Sequence, residues 1–244
     1  MPVRLTIHIG TSGEETARAA AGHVVQTLSR AVAQRGKASL VLAGGETPRR
    51  VYQLLALPPL SNMLAWDRCH FYFGDERMVP PDHPDSNFGM ARGELFGHLR
   101  IPEENVHRIR GEQPPEQAAR EYADDLLALF SGSLPRFDCV MLGVGEDGHT
   151  ASLFPGTDVL KEKRKNVSAL FVPRLNTWRV TLTFPVINNA REILFLAGGA
   201  RKASIVRKVI ESAAPSSEIP ATMVRPHDGD LQWFLDAEAA SHIR

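Results

Sequence analysis

The chain has 244 residues, 43% of them apolar and 23% charged, and its 28 basic and 28 acidic side chains cancel. That length and core content suit one large α/β domain over residues 1–244, and zero net charge argues against general affinity for nucleic acid or an anionic membrane. No stretch approaches the ~18 uncharged apolar residues of a membrane span, and Met1-Pro2-Val3-Arg4 leads into alternating residues rather than a signal-peptide core, so a cytoplasmic protein is expected.

Residues 3–9 alternate with β-branched side chains and predict a first strand. Ser12-Gly13-Glu14-Glu15 reads as a capping box for a helix with Ala17, Ala20, Val24, Leu28 and Ala31 near helical spacing, and Gly36 is placed to end it. A short buried strand over 39–43 runs into Gly44-Gly45-Glu46-Thr47-Pro48 and a helix over 49–57, closed by Pro58 and Pro59. A strand over 70–73 ends in Gly74-Asp75-Glu76-Arg77. After a proline-rich loop, Asp85-Ser86-Asn87 caps a helix to about Gly97. Residues 106–109 read as a short strand, and Pro114-Pro115 opens a helix with Ala118, Tyr122, Leu126 and Leu129 on one face. Further strands are expected at 137–142, 169–172, 179–183, 193–197 and 231–235, with a helix over 200–212 after Gly198-Gly199. This alternation predicts a mainly parallel, doubly wound Rossmann-like sheet with helices on both faces. Cys69 and Cys139 have no metal-ligand spacing and read as small buried hydrophobes.

The stretch Gly143-Val144-Gly145-Glu146-Asp147-Gly148-His149-Thr150-Ala151-Ser152-Leu153-Phe154-Pro155-Gly156 follows a strand end, where open α/β sheets bind their ligands. His149, two residues from Asp147, can serve as a general base whose tautomer the carboxylate fixes; taken alone, the triplet also suits a polar turn. Asp147 raises the proton affinity of the imidazole and burial lowers it, and the sequence does not say which prevails. Gly143, Gly145 and Gly148 spell G-x-G-x-x-G, but Pro155-Gly156 follow too soon for the helix of a dinucleotide site. The acidic residue expected ~20 positions on is missing too, so no nicotinamide or flavin is implied.

Gly44, Gly45 and Thr47, just before Pro48, either cradle a phosphate on backbone N–H groups at a helix N-terminus or simply turn the chain. Lys202 and Arg179 either add cations to the same anion or face water. Asp75, Glu76 and Arg77 form either acid/base groups with a binding arginine or a surface ion cluster. Asn87 reads as a helix cap. His83 has no second ligand at metal spacing, so no metal is expected. There is no G-x-S-x-G elbow and no feature activates Ser152, which leaves water activated by His149 as the expected chemistry.

Six motifs together resemble the glucosamine-6-phosphate isomerase/6-phosphogluconolactonase family. They are Ala43-Gly44-Gly45-Glu46-Thr47-Pro48, Gly74-Asp75-Glu76-Arg77-Met78-Val79-Pro80, Asp85-Ser86-Asn87, the Gly143 to Gly156 stretch, Arg179-Val180-Thr181-Leu182-Thr183 and Gly198-Gly199-Ala200-Arg201-Lys202-Ala203. Family deaminases place an asparagine and a glutamate shortly after the histidine, where this chain has Leu153-Phe154-Pro155, so the resemblance is to the lactonases. It implies hydrolysis of 6-phospho-D-glucono-1,5-lactone to 6-phospho-D-gluconate in the oxidative pentose phosphate pathway, with no cofactor and no metal. The implied partner is the small sugar-phosphate lactone, and the expected assembly is a monomer or small homo-oligomer. Gly44, Gly45, Thr47, Arg179 and Lys202 would hold the 6-phosphate, and His149, oriented by Asp147, would activate water. Arg77 would bind substrate or offset the oxyanion. The deaminase counterpart of Asp75 moves a proton at C2, a step that lactone hydrolysis does not need. Leu175-Asn176-Thr177-Trp178 replaces a more proline-rich approach, leaving open whether Arg174 or Arg179 reaches phosphate. The alternatives are a deaminase/isomerase and a non-catalytic sugar-phosphate-binding module.

Overall fold

A computed structural model describes residues 4–243; Val3, the first residue of the expected opening strand, lies outside the described residues with Met1, Pro2 and Arg244. In chain order the elements are β1 (Arg4–Gly10), α1 (Gly13–Arg35), β2 (Ala38–Leu42), α2 (Glu46–Leu55), β3 (Cys69–Phe73), β4 (Asp75–Arg77), α3 (Asn87–Glu94) and α4 (Pro115–Leu129). There follow β5 (Cys139–Gly143), β6 (Val167–Val172), β7 (Thr177–Leu182), α5 (Phe184–Ile187), β8 (Glu192–Ala197), α6 (Ala203–Ile210) and β9 (Asp230–Asp236).

Local chemistry sets the helix ends. Ser12 Oγ accepts the Glu15 N–H at 3.2 Å, and Glu15 Oε2 reaches back to the Thr11 N–H at 2.8 Å, a capping box displaced by one residue. Gly36, at φ 76°, closes the same helix in the left-handed region, its N–H on the Val32 carbonyl. Every residue of β2 and β8 is buried, as strands covered on both faces require. On one face His23 of α1 packs on Phe234. On the other, Phe195 and Trp233 line one cleft with Val209 and Ile210. Cys69 and Cys139 are buried free thiols, the first pushed up to about 12 by burial.

Six strands form one parallel sheet in the order β1-β9-β8-β5-β2-β3. The chain winds outward from β2 to β3 and then crosses back over β2 to β5. The turns after β2 and β5, Gly44-Gly45 and Gly143 to His149, therefore flank the point where strand order reverses, the place where open α/β sheets bind ligands.

A second, antiparallel sheet, β4-β7-β6, was not expected from the sequence. Gly74 joins the two sheets: its N–H bonds the Leu42 carbonyl of the large sheet, and its carbonyl accepts the Leu182 N–H of the small one. Asp75, Glu76 and Arg77 are thus a strand held over the carboxyl edge of the parallel sheet. The strand expected at 106–109 reduces to a single bridge between Val106 and Phe71. The chain then leaves the sheet because Gly111 packs on the backbone of Arg77 and Val79, where an added Cβ would lie 2.5 Å from both carbonyl oxygens.

At this edge His70 Nδ1 lies 3.1 Å from His107 Nε2, and the His107 ring stacks on Tyr72 at 4.6 Å. Burial, reinforced by His70, pushes His107 down to about 4, and burial also lowers His70. The unfolded chain, with His107 near 6.5, binds more protons between these values, so stability falls as pH drops from about 6.5 towards 4. His107→Gln should therefore lose less melting temperature than the parent between pH 7 and pH 4.5. Equal losses in scanning calorimetry would show that this pair does not govern acid sensitivity.

Candidate active site

The loop after β5 is tight enough to fix its side chains. Gly145 donates its N–H to the His149 carbonyl at 2.8 Å, and Gly148, at φ 82°, donates to the Gly145 carbonyl at 2.9 Å. Thr150 Oγ1 ties the returning chain to the Gly143 carbonyl. Within this frame His149 Nδ1 stands 2.5 Å from Asp147 Oδ1, and the His149 N–H bonds the same oxygen at 3.2 Å. A carboxylate against Nδ1 fixes the proton there and leaves Nε2 as the basic nitrogen. Nε2 has no hydrogen-bond partner among the described residues.

Phe154 stacks on the imidazole at 4.2 Å, and the Arg174 guanidinium lies over the Phe154 ring at 4.8 Å while pairing with Asp147 Oδ2. Burial lowers His149 below its ordinary value. It outweighs the hydrogen bond and charge of Asp147 and the charge of Asp75, and Arg174 adds to the lowering. Burial would raise Asp147, but its hydrogen bond with His149 and the His149 and Arg174 charges together hold it low. The competition that the sequence left open is thus won by burial at the imidazole.

Asp75 is 8% exposed and fully engaged. Ser152 Oγ donates to its Oδ2 at 2.6 Å, and Asn87 Nδ2 donates to its Oδ1 at 3.2 Å and its carbonyl at 2.9 Å. Asn87, read from sequence as a cap, instead carries this contact, and Ser86 caps α3 through the Gly89 N–H. Glu76 is buried and accepts from the Arg77, Asn87 and Phe88 N–H groups and from Ser86 Oγ. Burial nonetheless raises its carboxyl above the usual range. It is an anchor for α3.

The five residues expected at phosphate fall into two groups. Gly45 stands at φ 104° as the N-cap of α2, without a side-chain cap, and an added Cβ there would meet Pro48 Cδ at 4.0 Å. The Thr47 hydroxyl lies 4.0 Å from where a Gly198 Cβ would be, so the turns after β2 and β8 adjoin. Lys202 is lowered by burial, against the charges of Glu146 and Asp147, and its ammonium has no hydrogen bond or ion pair among the described residues. Arg179 has other neighbours: it faces Arg77 in register across β7 and β4, and burial followed by the Arg77 charge lowers it. Arg77 donates to the Asp85 carbonyl at 2.6 Å and leaves a buried Nε unpartnered. Gly44 packs against Asn87, where an added Cβ would sit 2.1 Å from Oδ1. Among the described residues no group of three or more His, Cys, Asp or Glu could hold a metal ion. Asn87, Ser152 and Phe154 were within the motifs but had no signal separating them from caps and turns.

The chain matches the family model described as glucosamine-6-phosphate isomerases/6-phosphogluconolactonase over residues 11–233. It is 39% identical to the 6-phosphogluconolactonase of Homo sapiens over 241 residues, covering 96% of this chain and 92% of that one. To the 6-phosphogluconolactonase of Synechocystis sp. it is 37% identical over 225 residues, 91% of each chain. The solved 6-phosphogluconolactonase of Trypanosoma cruzi superposes with a TM-score of 0.86 at 30% identity, covering 99% and 97% of the two chains.

Gly145 is not in the left-handed region, yet an added Cβ would lie 2.0 Å from His149 Nδ1 and 2.5 Å from Asp147 Oδ1. Gly145→Ala should fold with a loss of about 1–3 kcal/mol from overpacking. It should also abolish the downfield His149 Nδ1–H resonance expected of so short a hydrogen bond. An unaltered resonance would show that the loop backbone gives way instead of the pair.

Proposed function

Because the chain belongs to the glucosamine-6-phosphate isomerase/6-phosphogluconolactonase family and is a lactone hydrolase, we propose that it opens 6-phospho-D-glucono-1,5-lactone with a water molecule activated by His149. The observation that carries this reading is the bare Nε2 of an imidazole whose Nδ1 is held by Asp147. Nε2 takes a proton from water as its oxygen bonds to C1, giving a tetrahedral oxyanion. Collapse breaks the bond from C1 to the ring oxygen, and the imidazolium returns the proton to that oxygen. The acid formed then ionises to 6-phosphogluconate. Arg77 and Arg179, adjacent and short of partners, suit developing negative charge. Lys202, with Gly45 and Thr47 at the start of α2, suits the phosphate, which positions the ring. Asp75 supports the imidazole electrostatically and need not touch substrate. Phe154 packs on His149 where ring opening and amine release would call for a carboxylate, which disfavours the deaminase reaction.

His149→Ala should lower turnover on freshly generated lactone by roughly 10²–10⁴-fold while 6-phosphogluconate binding changes little. Parent activity should fall with acid at a midpoint below about 6.5, because burial lowers the imidazole. Full turnover per folded site in the alanine variant, or ammonia release from glucosamine 6-phosphate in place of lactone hydrolysis, would sink the reading.

Lys202→Ala tests the phosphate site separately. A charge-assisted contact is worth roughly 1.5–3 kcal/mol, or about ten-fold to more than a hundred-fold in affinity. KM for the phosphorylated lactone should rise by that factor, with hydrolysis of the unphosphorylated lactone nearly unchanged. Equal losses on both substrates would remove Lys202 from the phosphate.

A further inference from the structure

Arg174 lies in the turn Pro173–Leu175 that joins β6 to β7, and Asn176, at φ 47° and ψ 46°, closes that turn in the left-handed region. The last paired residues of the hairpin are Val172 and Thr177, so the turn is held at the end of a regular ladder. From there the guanidinium makes two contacts with the loop after β5. One of its nitrogens pairs with Asp147 Oδ2, and its plane covers the Phe154 ring, which stacks in turn on His149. Asp147 is therefore shared: Oδ1 serves the imidazole and Oδ2 serves the arginine.

The charged groups acting on the imidazole are Asp147, Asp75 and Arg174. Glu146 and Lys202 stand next to them without acting on the ring as strongly, Lys202 through its interaction with Asp147. Two of the three are carboxylates, which favour the imidazolium. An imidazole that orients well against Asp147 would, for the same reason, tend to keep a second proton and cease to be a base. Among the described residues Arg174 is the cation that opposes them. We propose that Arg174 is a positioning residue for the base: by occupying one oxygen of Asp147 it lets the carboxylate orient His149 without drawing a second proton onto Nε2. The stack through Phe154 fixes the guanidinium at the distance where it does this. The inference rests on the general-base reading of His149 and assigns Arg174 away from the phosphate.

The test uses Arg174→Gln and Arg174→Lys. The side chain is 49% exposed, so both variants should fold. His149 is titrated by NMR without substrate, and kcat/KM is followed from pH 5 to 9. In Arg174→Gln both the titration midpoint and the acid limb of kcat/KM should move to higher pH together. Activity should be several-fold below the parent at pH 6 and recover towards it at pH 8.5. Arg174→Lys, which keeps the charge, should restore most of the parent profile. An unmoved His149 midpoint overturns the proposal. So does a KM raised by the same factor at every pH, which would make Arg174 a substrate ligand. A midpoint that moves while the acid limb stays fixed upholds the coupling of Arg174 to His149 and overturns the general-base reading instead.

Discussion

A carboxylate withdrawn from water needs donors around it, and Asp75 meets that demand by tying separate stretches of chain together. Its own strand, β4, is held by pairing with β7; Asn87 comes from α3 and Ser152 from the loop that carries His149. Asn87 fits only because Gly44, at the end of β2, has no side chain in its way. One buried acid thus fixes the turn after β2, the start of α3 and the loop that carries His149 relative to each other. Glu76, pointing to the other side of the same strand, does the equivalent service for the N-terminus of α3. The antiparallel sheet is accordingly part of the site, because it delivers these two carboxylates to the carboxyl edge of the parallel one.

Much of the parallel sheet was legible because its signals are local. Ser12 and Glu15 start α1, Gly36 stops it, and the uninterrupted apolar runs of β2, β5 and β8 have lengths that suit strands buried on both faces. The Asp147–His149 pair was legible for the same reason, both partners lying within one glycine-rich turn. What escaped the sequence depends on contacts between distant positions. Asp75–Arg77 is too short to show a period, and its pairing partner is about a hundred residues away. Arg179 and Lys202 looked equivalent as cations near strand ends, but register sets Arg179 opposite Arg77 while Lys202 stands by Glu146 and Asp147. That Asn87 packs where a Gly44 side chain would stand is likewise visible only in the fold.

The site's charges are arranged so that several are poorly compensated until something binds. Lys202 loses hydration by burial and has no ion pair to replace it, and Arg179 is lowered both by burial and by the like charge of Arg77. Each is a local deficit, desolvation first in both and like charge second at Arg179, that a nearby anion would reduce. Two of the carboxylates, by contrast, are satisfied, Asp75 by Ser152 and Asn87 and Glu76 by backbone N–H groups and Ser86, while Asp147 bonds His149 through Oδ1 and meets Arg174 as an ion pair at Oδ2, which accepts no hydrogen bond. The asymmetry has a direction. Asp75 and Glu76, whose hydrogen bonds are complete, build the frame, and the bases beside them have incomplete ones. His149 belongs to the second group, with one nitrogen committed to the frame and the other held bare at its edge.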